Sequence, residues 1–113
     1  LITPVTYTPV RLYVGQPGTS LSALYTVPEG EKVIVRNIVL ANTTSSLAKV
    51  SVHFVSAGDT ADNTNKVIAD YGLSPNTTVV IDMNAVLEAG DSVQAIQTVA
   101  GAVTMYLSGV EVK

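Results

Sequence analysis

The sequence predicts an all-β fold, an antiparallel β-sandwich of about eight strands with jelly-roll character. Short runs rich in Val, Thr, Ile and Tyr recur along the 113 residues, and clusters of Pro, Gly, Asn and Ser divide them at fairly even spacing, as in sandwiches and barrels. Within several runs apolar and polar residues alternate, the pattern of strands with one buried face. The length suits one domain with one core. Such a domain buries roughly 65% of the surface of its unfolded chain and folds without a disulfide or a structural metal. That matters, because the sequence has no cysteine.

The elements follow in order. A first strand is expected over 10–14, where Val10 and Val14 bracket Arg11, Leu12 and Tyr13 before the breaker Gly15-Gln16-Pro17-Gly18. A second over 21–27 stops at Pro28-Glu29-Gly30, read as a hairpin turn. A third over 31–42 runs into Asn42-Thr43-Thr44-Ser45-Ser46, and a fourth spans 47–56. Residues 57–66 are the longest polar stretch, expected to be a surface crossover in which Thr60 or Asp62 caps a single helical turn. An extended piece over 66–71 precedes Ser74-Pro75-Asn76, and strands over 77–83, 91–99 and 102–112 complete the set, with Ala89-Gly90-Asp91 turning into the first of the last two. Residues 1–20 hold three prolines and read as an extended amino-terminal arm, leaving 21–113 as the sandwich domain. Leu1 in place of an initiator Met reads as a processed amino end.

Strict alternation then assigns faces. Over 47–55, Ala48, Val50, Val52 and Phe54 share a face assigned to the core, while Lys49, Ser51 and His53 share a polar one. Over 32–42 both faces are apolar: Ile34, Ile38 and Leu40 alternate with Val33, Val35, Val39 and Ala41. A two-sheet sandwich offers a strand one internal face, so the second is expected to meet a neighbouring subunit. Val33, Val35 and Val39, with His53 from the next strand, are the candidate interface residues. Only 13% of residues are charged against 47% hydrophobic, about half the charge usual in a globular domain, which points the same way.

Several functions are disfavoured. The net charge of −3 provides no basic stripe for phosphate neutralisation, so no nucleic-acid partner is expected. No apolar run approaches the ~20 residues of a membrane-crossing helix, and no membrane partner is expected. His53 is the sole histidine, with no carboxylate beside it in its strand, which argues against triad or general-base chemistry and a histidine-based metal site. Asp59 and Asp62 lie in an oxygen-rich loop that lacks the spacing of a calcium loop. Glu29, Glu31, Asp82, Glu88 and Asp91 sit beside turns and form no evident pair. The expectation is a non-enzymatic chain without catalytic residues, cofactor or metal. Asn42-Thr43-Thr44 and Asn76-Thr77-Thr78 match the glycosylation acceptor, as chance allows in a Thr-rich chain.

Two stretches resemble a known family. Leu24-Tyr25-Thr26-Val27-Pro28-Glu29-Gly30, followed by Val33-Ile34-Val35-Arg36-Asn37-Ile38-Val39-Leu40-Ala41-Asn42, is similar to the opening of small β-sandwich virion proteins of tailed phages and prophages. Leu87-Glu88-Ala89-Gly90-Asp91-Ser92-Val93-Gln94-Ala95 and the closing Leu107-Ser108-Gly109-Val110-Glu111-Val112 extend the resemblance over most of 24–112. The closing pattern also shares a rhythm with trimeric jelly rolls of the tumour-necrosis-factor type. The resemblance implies a structural protein in the virion that forms a trimer or ring with itself and contacts other virion proteins, with capsid decoration favoured over a tail or fibre role. Tyr7, Arg11 and Tyr13 of the arm are the candidate attachment residues. The alternative reading is a carbohydrate- or receptor-binding module for a host-surface glycan, motivated by Tyr7, Tyr13 and Tyr25 and by the polar 57–66 loop.

Overall fold

The computed structural model describes residues 4–113. Those residues form eight strands and no helix: β1 (Tyr7–Gly15), β2 (Ser22–Thr26), β3 (Lys32–Asn42), β4 (Ala48–Val55), β5 (Lys66–Leu73), β6 (Thr78–Leu87), β7 (Ser92–Gln97) and β8 (Val103–Val112). Two four-stranded sheets result, β1-β8-β3-β6 and β2-β7-β4-β5, with every pairing antiparallel. First pairs with last, β2 with β7, β3 with β6 and β4 with β5. This is one long hairpin rolled upon itself, the jelly roll the sequence predicts.

Rolling requires most connections to change sheet, and this corrects two expectations. The turn at Pro28-Glu29-Gly30 joins β2 to β3, which lie in different sheets, so it is a corner and not a hairpin. Residues 56–65 connect β4 to β5, which are adjacent in one sheet, so the expected crossover is a long hairpin loop. The amino-terminal arm also changes character. Residues 7–15 are an edge strand laid along β8, and the pairing continues past it through reciprocal amide-to-carbonyl bonds between Thr6 and Lys113 at 2.6 and 3.1 Å.

The core lies between the sheets. β3 supplies Val33, Val35, Ile38 and Leu40; β8 supplies Val103, Met105 and Leu107; β4 and β7 answer with Val50, Val52, Val93 and Ala95. Each Val, Leu or Ile so buried contributes about 1.5–3 kcal/mol before entropy is counted. The β3 set shows where strict alternation fails. Its register shifts between Val35 and Asn37 against both neighbours, a β-bulge that turns Arg36 outward and moves the inward positions from odd to even. Val33 and Val35 therefore lie wholly inside the chain's own core, not on a second face as an interface would require. Ile38 and Leu40 join them inside, while Ile34, Val39 and Ala41 stay half-buried on the outer face.

The bulge depends on a glycine. Gly109 pairs with Val35 at the register shift, and a Cβ there would fall well inside van der Waals contact of the Ile34 carbonyl oxygen, with the Leu12 side chain next in the way. Only hydrogen fits where β3 presses so closely on β8.

Two substitutions test this packing by thermal or urea unfolding. Gly109→Ala is expected to cost about 2–4 kcal/mol, and Val35→Asp, which buries an unpaired charge, is expected to abolish the cooperative transition. A folded Val35→Asp chain of wild-type stability would place Val35 on an accessible face.

Candidate functional site

Outside the core, the largest organised feature is the outer face of the β1-β8-β3-β6 sheet. Its register aligns four cross-strand rows. Pro9, Val110, Ile34 and Val86 form an apolar row across all four strands; Val14, Tyr106, Val39 and Val80 form another. Between them lies a polar row of Arg11, Ser108, Asn37 and Asp82, in which the Ser108 hydroxyl donates to Asn37 Oδ1 at 2.6 Å. Beyond the second apolar row, Thr104, Ala41 and Thr78 are aligned, and Gln16 Nε2 donates to Thr104 Oγ1 at 3.3 Å. Val80, Val86 and Tyr106 keep 57%, 59% and 42% of their surface exposed. So much valine and tyrosine on one solvent-facing sheet is unusual for an isolated chain.

Two opposite charges on this face lie at opposite edges, and a third stands on the inner strand β3. Arg11 stands on edge strand β1, Asp82 on edge strand β6, and Arg36 is turned outward by the bulge. The ion pairs among the described residues join Lys32 to Glu88 and Lys113 to Glu31 and Glu111, so Arg11, Arg36 and Asp82 have no such partner within the described chain.

Of the residues the sequence singles out as an interface, only Val39 lies on this face. His53 points out of the other sheet, yet its exposure is only 5%, because the β4–β5 loop folds over it. Asn65 organises that loop. Its Oδ1 lies 2.9 Å from His53 Nδ1 and accepts from the Asp62 amide at 3.0 Å, while its Nδ2 donates to the Thr60 carbonyl at 3.0 Å. Asp62 caps the turn by accepting from the Thr64 amide and hydroxyl, and those bonds hold its carboxyl below the usual carboxylate range. Ser51 is buried by a similar clasp, accepting from the Asp70 amide at 2.9 Å and donating to Asp70 Oδ1 at 3.1 Å. Asp70 adopts a positive φ of 46° there. The polar face of β4 is thus covered by its own chain at Ser51 and His53, while Lys49 stays exposed, an outcome invisible to strand alternation.

Tyr7 and Arg11 are exposed on β1, whereas Tyr13 and Tyr25 pack against the core, so the expected tyrosines do not form a shared platform for a sugar. Asn42 is buried: its Nδ2 donates to the Ser46 and Leu73 carbonyls at 2.7 and 3.0 Å. The first glycosylation match is therefore a structural asparagine. Among the described residues, no group of three or more His, Asp or Glu is placed to hold a metal ion.

No protein-family model matches the sequence, and no curated protein does. Solved structures do. A chain of infectious bursal disease virus, Gx strain, matches over 97% of this chain with a TM-score of 0.56 at 14% identity. A chain of the T13 viral particle of the same virus matches over 96% with a TM-score of 0.51 at 13% identity. The likeness is one of fold. This chain spans about a third of the length of those it matches, 32% and 31%.

Tyr25 yields a test of the local electrostatics. Its hydroxyl is buried without a hydrogen-bond partner, and burial, reinforced by Glu111 and Glu31, raises its pKa. A raised folded-state pKa contributes stability below the unfolded value of about 10, and this is lost as pH rises through the folded value. Tyr25→Phe is expected to leave neutral-pH stability unchanged or higher and to make the loss above about pH 10 shallower in a pH series of urea melts. A loss beyond about 1 kcal/mol at neutral pH would mean that the hydroxyl has a partner.

Proposed function

We propose that this chain is a non-enzymatic structural unit of a virus particle that assembles with copies of itself and with other virion proteins. The observation that carries the reading is the rolled-hairpin topology, matched over nearly the whole chain by chains of viral particles. Fold alone does not assign function; the exposed valine and tyrosine rows and the low charge add the physical reason for assembly. The sequence motifs over 24–42 and 87–112 favour a tailed-phage particle, with a place on the capsid surface ahead of one in the tail. Tyr7, exposed at the start of β1, is the candidate contact with other virion proteins.

Two measurements test this. Light scattering over a dilution series is expected to give a mass that rises with concentration to a fixed multiple of the 11.8 kDa chain mass, because a closed symmetric assembly has one stoichiometry. Immunogold labelling with an antibody to the chain is expected to decorate intact phage particles released from the source organism. A monomer at every concentration would remove the self-assembly part, and particles devoid of label would remove the virion part.

A further inference from the structure

We infer that the outer face of the β1-β8-β3-β6 sheet is a two-fold interface with a second copy of this chain, its axis parallel to the strands, so that Arg11 of each copy faces Asp82 of the other. The inference rests on the self-assembly proposed above and identifies its surface and symmetry. Self-association by a two-fold axis requires a patch complementary to itself, which the four rows provide. Rotation about an in-plane axis along the strands lays β1 over β6 and β8 over β3, keeping every row over its own counterpart. The two apolar rows then meet apolar rows. In the polar row Arg11, at one edge, comes to lie over Asp82 from the other. Arg36 comes to lie over neutral Ser108. The perpendicular in-plane axis, laid along the polar row so that the apolar rows still meet, fails this requirement, because it sets Arg11 over Arg11 and Asp82 over Asp82, and like-charge juxtaposition opposes docking.

Area permits the arrangement. Four strands at ~4.8 Å and eight residue steps at ~3.4 Å, from Thr104 to Val112, give about 500 Å² per copy and about 1,000 Å² in all. That is the lower end for a specific interface, so a dimer held by this face alone is expected to be concentration-dependent. Aligned sheets pack about 30° apart because each is twisted, which fits an axis along the strands.

Charge reversal tests the inference, because Arg11 and Asp82 are both exposed and neither is part of the core. By sedimentation equilibrium, Arg11→Asp and Asp82→Arg are each expected to weaken association at least about tenfold, and the double variant to return within about threefold of the wild type. Val80→Lys, in the second apolar row, is expected to weaken association in every background. Association by the wild type that these variants leave unchanged would overturn this surface while leaving self-assembly standing. Failure of the double variant to recover would overturn the two-fold pairing. A wild-type chain that stays monomeric at all concentrations would overturn self-assembly and this surface together.

Discussion

The close approach of β3 to β8 at Gly109 is the constraint on which the rest of the architecture depends. A bulge at Arg36 inserts one extra residue opposite that glycine, and because strand side chains alternate, every position beyond it changes face. Before the bulge Val33 and Val35 point inward; after it Ile38 and Leu40 do. One displaced residue therefore fills the core with four large side chains from a single strand. It also leaves Ile34, Val39 and Ala41 to the outer face and turns Arg36 toward solvent. Without the bulge, half of β3 would present the wrong residues to each side.

Polar side chains, Gln97 and Asn42 buried and Asp91 half-buried, hold the corners that the rolled topology demands. Asp91 accepts from the Ala57 and Glu88 amides, at 3.0 and 2.9 Å, while its carbonyl accepts from the Val27 amide at 2.9 Å. Three segments distant in sequence are fastened there. Gln97 Oε1 accepts from the Val103 amide at 2.8 Å and its Nε2 donates to the Pro17 carbonyl, pinning the β1–β2 link to the β7–β8 turn. Asn42 does the same between the β3–β4 loop and the end of β5. Each satisfies backbone groups that a sheet-changing connection would otherwise leave unpaired.

Much of this was legible in the sequence, for physical reasons. Turn-forming clusters and β-rich runs located all the strands, because glycine, proline and Asx preferences are local. Strand ends moved most at β1 and β6, where the predicted segments 10–14 and 77–83 become Tyr7–Gly15 and Thr78–Leu87; β1 runs on through Pro9, which an edge strand tolerates, and no breaker marks the extension of β6. Face assignment succeeded on β4 for Ala48, Val50 and Val52. It failed on β3, since a bulge has no signature in the strand that carries it; the signal was Gly109, on another strand. His53 and Ser51 lie on the outward face as read, but their burial was not legible because their cover, Asn65 and Asp70, comes from later in the chain. The outer face could not be read at all without register, since its rows draw on four strands in the order β1-β8-β3-β6.

Assembly and core packing thus both turn on which valines face outward and on what they meet there. Methyl NMR of valine-labelled chain across a concentration series tests that most directly, since methyl shifts report contact on the side chain itself. The account predicts that Val39, Val80 and Val86 shift with concentration while Val33 and Val35 do not. Shifts at Val33 and Val35, or none at the three outer valines while the chain associates, would contradict it.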